Sequence, residues 1–245
     1  MEDLIVATNP KSSFAEAIKL IKTNITFSSI GTGFKTILMT SPESGDGKSF
    51  LVANLASAFA QEGKKVLVID ADLRRGRQHT IFNIKDTSFG YSNLILSVAQ
   101  KQALIKAGLD KHIFSYIQDT AVKEVSLLPA GPTPPNPLEL LSSETNSIII
   151  DHIKRYFDVV IIDCPPAIGL SDALVLSKFT DVNIVTVSST KTKIDELEAV
   201  KKNFERVKSK IHGVVINKAK VKASSYSKYY TNDKYYTDNI SHSSK

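Results

Sequence analysis

Short apolar runs alternate along this chain with stretches whose apolar residues recur at helical spacing. Val66–Ile69 and Val159–Ile162 are unbroken, and Ile37–Met39 is a shorter run, as in strands buried on both faces of a parallel sheet. Glu124–Leu128, Asp181–Val187 and Ile211–Asn217 read as further strands. Between them the period changes. Phe14, Ile18, Ile21 and Ile25 are spaced by four, three and four, which predicts a helix over about residues 12–28. Ser12 or Ser13 suits its N-cap, and Glu16 stands where a capping box from Ser13 would need it. Residues 1–11 show no period and read as an irregular arm.

Further helices are expected after Ser49, near Leu94–Leu104, from Asn136 and Pro137 (N-cap and N1) to about Tyr156, and over Thr190–Lys210. Strands alternating with helices predict an α/β fold, a doubly wound, mostly parallel sheet flanked by helices. Ligands then belong at the carboxyl ends of its strands.

At 245 residues and 42% hydrophobic content, the chain can bury a full core in one α/β domain. No apolar run approaches the ~18 residues that cross a bilayer, and no charged-then-apolar leader opens the sequence. Cys164 is the single cysteine, so no intrachain disulfide can form, which points to a reducing, cytoplasmic setting. The net charge of +6 changes the picture mainly at the end. From residue 219 onward five lysines face two aspartates, aliphatic residues nearly vanish, and Tyr226, Tyr229, Tyr230, Tyr235 and Tyr236 crowd together. Such a segment cannot fold alone. The expected organisation is a domain over 1–218 and a flexible tail over 219–245.

The chemistry centres on TILMTSPESGDGKS, Thr36 to Ser49. A strand, a glycine-bearing turn, Gly47-Lys48-Ser49 and a helix together make a phosphate-binding loop. Ser44, Gly45, Asp46, Gly47, Lys48, Ser49 and Phe50 are the expected nucleotide contacts. Glycines let backbone N–H groups curl around phosphate oxygens, Lys48 reaches the β- and γ-phosphates, and the Ser49 hydroxyl ligates Mg²⁺. Pro42 stands where the motif usually has its first glycine. Three carboxylates follow apolar strands: Asp70 and Asp72 after one, Asp163 after another. Each strand is expected beside the one that feeds the loop. Strand-end aspartates often only cap turns, but Asp-x-Asp, a second Asp and Gly-Lys-Ser together suit metal-assisted phosphoryl transfer.

These motifs resemble those of the bacterial tyrosine kinases that control capsule and exopolysaccharide synthesis, members of the Min/Par-like class of P-loop proteins. SPESGDGKS is similar to their Walker A, VLVIDADLR to their Walker A′ and VVIIDCPP to their Walker B. SSFAEAIKLIKTNI resembles the segment that joins subunits into a ring, with Glu16, Lys19 and Lys22 at its charged positions and lysines where arginines are usual. The plainer reading of this row is a solvated face with one i,i+3 ion pair. The tyrosine-rich end resembles an autophosphorylation cluster.

The resemblance implies ATP and Mg²⁺ as cofactors. It assigns catalytic roles to Lys48, Asp70, Asp72 and Asp163, and metal binding to Ser49, Asp70 and Asp163. It implies a homo-oligomeric ring that feeds each tail into a neighbour's site; separately, a tail of +3 that moves to roughly −7 with five phosphotyrosines is expected to leave the site and loosen the ring on phosphorylation. A membrane-anchored adaptor of the polysaccharide co-polymerase type would recruit the chain to the inner face of the plasma membrane, and a cognate tyrosine phosphatase would oppose it. Arg74 or Arg75 can contact phosphate or a neighbouring subunit, or be a solvated arginine, and Asn217 can hydrogen-bond adenine. Cys164 reads as a small buried residue.

Three rivals are a partition-type ATPase, a nucleic-acid-binding protein using the Lys/Tyr tail, and a catalytically dead adaptor, which intact Lys48, Asp70, Asp72 and Asp163 argue against. The first is disfavoured because Glu43 stands where those proteins carry a signature lysine. No nucleic acid is expected.

Overall fold

A computed structural model describes residues 3–28, 31, 33–100 and 108–219. The apolar runs become the strands of a seven-stranded sheet. These are β1 (Thr36–Thr40), β2 (Val66–Asp70), β3 (Gln118–Asp119), β4 (Val125–Leu128), β5 (Val159–Asp163), β6 (Val182–Ser188) and β7 (Gly213–Asn217). Their spatial order is β3-β4-β2-β5-β1-β6-β7. Every pairing is parallel except that of the two-residue β3 with β4, a strand too short to leave a period in the sequence. Every residue of β1, β2, β5 and β6 is buried, which explains why their sequences scarcely alternate.

The helices are α1 (Ile5–Thr8), α2 (Ser13–Ser28), α3 (Lys48–Ala60), α4 (Gln78–Ile81), α5 (Tyr91–Gln100), α6 (Leu109–Phe114), α7 (Pro137–Ser142), α8 (Glu144–Ile153), α9 (Asp172–Leu176) and α10 (Ile194–Arg206). They divide between the two faces. Ile37, Met39, Val68 and Ile161 pack one way against α2 and α3, while Leu38, Leu67, Ile69 and Ile162 pack the other way against α5, α8 and α10. Truncating such a buried aliphatic residue to alanine costs roughly 2–5 kcal/mol.

Several expectations need correction. The strand ending in Asp70 does not lie beside β1, because β5 intervenes and pairs with both. The first residues are not an irregular arm. Leu4 and Val6 are buried, and the arm is tied to α3: Val6 N donates to Asn54 Oδ1 at 2.9 Å and Gln61 Nε2 donates to Val6 O at 2.8 Å. A polar anchor on another helix, rather than periodicity, orders it. The long helix expected from Asn136 breaks at Ser143, whose extended backbone (ψ 150°) ends α7 while its hydroxyl caps α8 by accepting from Asn146 N. On α2 the cap is Ser12, which accepts from Ala15 N at 3.1 Å, so Ser13 and Glu16 do not form the capping box. The helix expected over Thr190–Lys210 narrows to Ile194–Arg206, and that near Leu94–Leu104 becomes Tyr91–Gln100, with 101–107 outside the described residues.

Candidate active site

β1 delivers the loop of residues 41–47, and α3 begins at Lys48. Gly45 and Gly47 both take left-handed backbone (φ 89° and 88°), and a Cβ on Gly47 would lie 2.1 Å from Asn217 Nδ2. Glycine is required there twice over, by sterics and by dihedral. Pro42 fits in place of the usual first glycine because no positive φ occurs at that position. No side chain caps Gly47 and no acid stands in the first turn of α3, so the helix's leading N–H groups and its dipole favour an anion.

The loop is fastened from outside. Asn217 Nδ2 donates to Asp46 O (2.9 Å), Lys218 Nζ to Gly45 O (2.7 Å) and Lys191 Nζ to Ser44 O (2.8 Å). The Asp46 carboxylate is buried and accepts from Glu43 N and Thr192 Oγ1, both at 3.1 Å. Lys191 also pairs with Glu43 at 2.8 Å, which holds the Glu43 carboxyl below its ordinary range. Nothing in the sequence marked Lys191 or Thr192, since they reach the loop only after β6 is laid beside β1.

Behind the loop, Asp70 and Asp163 are register partners at the ends of β2 and β5. Both are fully buried. The Lys48 ammonium donates to Asp163 Oδ1 and lies 3.3 Å from Ser49 Oγ. Gln78, also fully buried, donates Nε2 to Asp163 Oδ2 (2.7 Å) and to Ser49 O (3.0 Å), and its backbone N–H to Asp70 Oδ2 (2.9 Å). This residue was not singled out from the sequence, because a short helix after an arginine-rich turn gives no motif.

Burial pushes the Asp70 carboxyl up to about 8, and the neighbouring Asp163 charge adds to the rise. Burial works against the Lys48 ammonium, but Asp163 more than offsets it and the lysine is raised. Burial pushes the Cys164 thiol well above its usual range, so this fully buried residue is a packing group, as expected.

In front of the loop opens a cavity of about 950 Å³, the size of a nucleotide site. Ser44 through Phe50 line it, together with Asp72, Arg74, Arg75 and Arg77. Asp72 Oδ1 accepts from Arg75 N (2.9 Å) and Arg74 N (3.3 Å), which fixes the turn and leaves Asp72 half-buried at the wall. Arg74 Nη1 donates to the buried Asp172 at 2.7 Å.

The residues present fit a nucleotide with a divalent ion. The lysine ammonium already lies between Ser49 and Asp163, so a cation can touch both, and Mg²⁺ commonly takes only one or two carboxylates beside phosphates and water. Asp70 is placed differently, because its oxygens accept backbone N–H groups of Gln78 and Asp72.

Other expected residues separate. Glu16 and Lys19 form the i,i+3 ion pair (2.7 Å) at the surface. Lys22 does not belong to that solvated row: it is buried on α2 and paired with Glu62. Asn217 uses both ends of its amide within the chain, Nδ2 on Asp46 O and Oδ1 on Lys218 N. Tyr226, Tyr229, Tyr230, Tyr235 and Tyr236 lie outside the described residues. No helix among the described residues is long and apolar enough to cross a membrane.

A family model described as an AAA domain matches residues 34–217. The chain is 36% identical over 234 residues to the tyrosine-protein kinase YwqD of Bacillus subtilis, covering 95% of this chain and 93% of that one. It is 36% identical over 231 residues to the putative tyrosine-protein kinase CapB of Staphylococcus aureus, covering 94% and 96%. Among solved structures, the chimerical protein CapA2B2 superposes with a TM-score of 0.79 at 35% identity, covering 89% of this chain and 91% of that one.

Proposed function

The chain belongs to the bacterial tyrosine-protein kinases, with a P-loop NTPase fold, and from that premise we propose how its own residues carry out the reaction. ATP enters the cavity with its phosphates against the loop, where backbone N–H groups of residues 44–49 and the start of α3 meet them. Lys48 exchanges Asp163 for phosphate oxygens. Ser49 and Asp163 would then hold Mg²⁺, with the Asp70 carboxyl adjoining them, and the ion would neutralise charge on the β- and γ-oxygens.

Asp72, at the cavity wall, takes the proton of a tyrosine hydroxyl. The phenol oxygen forms the new bond to the γ-phosphorus, the bond to the bridging oxygen breaks, and ADP departs. A loose transition state asks little of the base, so orientation matters more than basicity. The observation that carries this reading is the Lys48 ammonium shared between Ser49 and Asp163 beneath a cavity walled by Asp72.

The acceptors are the tyrosines at 226, 229, 230, 235 and 236, presented in trans by a neighbouring copy in a ring. Five lysines against two aspartates give the unmodified tail +3, attractive to a site that holds the ATP phosphates beside the Asp72 and Asp163 carboxylates. Each phosphate adds about −2, so modification expels the tail and loosens the assembly. A membrane-anchored adaptor recruits the chain to the inner face of the membrane, where it regulates capsule or exopolysaccharide synthesis and export, and a tyrosine phosphatase resets it.

The test is incubation with Mg-ATP, with and without the adaptor's cytoplasmic segment, followed by mass spectrometry of the tail beside Lys48→Met. Phosphotyrosine in the tail of the wild type and none in the variant supports the reading. ATP consumption with unmodified tyrosines rejects it. Deleting 219–245 should leave ATP binding intact and abolish self-phosphorylation, whereas a nucleic-acid-binding protein would lose its ligand.

A further inference from the structure

Asp172 begins α9, fully buried, and no part of the reaction as derived above uses it. Its Oδ1 accepts from Arg74 Nη1 at 2.7 Å, and its Oδ2 has no hydrogen-bond partner among the described residues. The carboxylate side chain is 1% exposed while the Arg74 side chain is 32% exposed, and Arg74 lines the cavity. The pair therefore joins a charge sunk in the protein to a charge at the wall of the reaction cavity.

As a stabilising device it is poor. A buried carboxylate with one oxygen unsatisfied forfeits solvation that a single partner does not restore, and an apolar residue of similar volume would often serve stability as well. As a positioning device it is effective. An unrestrained arginine loses considerable rotamer freedom when it engages a ligand, and a guanidinium already fixed avoids that cost. Arginine has five N–H donors, and Asp172 accepts from one nitrogen. The backbone N–H of Arg74 is also held, at 3.3 Å, by the same Asp72 oxygen that fixes the turn. Arg74 and Asp72 thus form one rigid unit, with buried Leu73 pinning the backbone between them.

We infer that Asp172 is a positioning residue: through Arg74 it presents a fixed guanidinium to the anionic group being transferred. This rests on the phosphoryl-transfer reading of the same cavity. Preorganised cations aimed at developing charge act on the rate of transfer more than on ground-state binding.

The test is a double-mutant cycle on the full chain, reading both tail phosphorylation and ATP hydrolysis. Arg74→Gln and Asp172→Asn should each lower kcat by roughly 10- to 100-fold, with KM for ATP changed less than about threefold. The double variant should be no worse than the poorer single one, because Asp172 acts only through Arg74. Multiplying effects, a wild-type kcat in either single variant, or losses confined to KM would each overturn the inference.

Should Asp172→Asn fail to fold, Arg74→Ala with added methylguanidinium decides. Partial recovery of kcat shows that the Asp172 socket holds a guanidinium, and no recovery overturns the proposal. Wild-type protein that hydrolyses ATP without forming phosphotyrosine would defeat the kinase reading alone, since the coupling of Asp172 to Arg74 is still read on hydrolysis.

Discussion

Asp70 and Asp163 face each other as register partners at the carboxyl ends of β2 and β5, two buried carboxylates with one lysine between them and the phosphate loop. The lysine contacts only one of the pair. Asp163 has the ammonium and the Gln78 amide, whereas Asp70 has two backbone N–H groups and no cation in contact among the described residues. The sheet therefore stores an electrostatic imbalance, and the burden falls on Asp70. Gly76 lets it sit there, since a Cβ at that position would lie 2.8 Å from Asp70 Oδ2 and 2.6 Å from Ala130 Cβ.

Asp70 should make the nucleotide-free protein less stable as pH rises. Its folded carboxyl is raised from 3.8 to about 8, so the native state keeps a proton that the unfolded chain gives up. The associated stability is complete below the unfolded value and is lost as pH climbs through about 8. Asp70→Asn removes this loss, at the expense of the long 3.3 Å bond from Asp72 N. Calorimetry should find the variant more stable than wild type by about 1–3 kcal/mol near pH 9, a gap that closes towards pH 5. A difference independent of pH would contradict the buried, raised carboxyl.

Lys48 has a structural duty besides the catalytic one proposed for it. Its side chain is 8% exposed and that of Asp163 1%, so Lys48→Met strands a buried carboxylate beside Asp70. Breaking such a pair costs about 3 kcal/mol or more. The variant should lose both ATP binding and several degrees of Tm, while Lys48→Met combined with Asp163→Asn should regain most of the Tm and none of the binding. If Lys48→Met melts like wild type, Asp163 does not depend on the ammonium.

The strands and the loop were legible because each left a local mark: continuous apolar runs for β2 and β5, and Gly47-Lys48-Ser49 after β1. What could not be read was adjacency. Asp70 is beside Asp163 rather than beside β1 because of the strand order, which periodicity does not encode. Gln78, Lys191 and Asp172 join the site through contacts 85, 147 and 98 residues distant in sequence. Lys22 looked like its neighbours Glu16 and Lys19 because the polar row was judged by charge. The apolar stem of a lysine can enter a core and leave its ammonium at the rim, and here it does.

Asn217 is expected to act on the loop and not on the base of the nucleotide. Its amide holds Asp46 O from behind Gly47, so Asn217→Ala should weaken ATP and GTP binding by the same several-fold factor, about 1 kcal/mol for one lost hydrogen bond. A residue that read adenine would instead shift the ratio between the two. Gly47→Ala should be far worse, because it adds a clash with Asn217 to a left-handed backbone. Adding Asn217→Ala to it removes the clash but not the backbone strain, so recovery should be partial. An altered ATP-to-GTP ratio in Asn217→Ala, measured by calorimetric titration, would restore the adenine role.

The charged row of α2 should divide in two on mutation. Lys22 packs its stem against the core and bonds Glu62 in the turn after α3, so it belongs to the fold of one subunit. Because Glu62 is 55% exposed, the ion pair itself is worth little, and most of the loss in Lys22→Ala comes from the stem, about 1 kcal/mol in all. Lys22→Met, which keeps the stem, should melt nearly like wild type. Glu16 and Lys19 pair at the surface, with side chains 38% and 35% exposed, and their removal should leave Tm unchanged within a degree or two. If the row joins subunits, Glu16→Ala and Lys19→Ala lower the oligomeric mass in solution while Lys22→Met does not, because a buried intrachain ammonium has no donor to lend a neighbour. Analytical ultracentrifugation of the three variants separates the roles, and a loss of assembly in Lys22→Met with intact assembly in the other two would reverse the assignment.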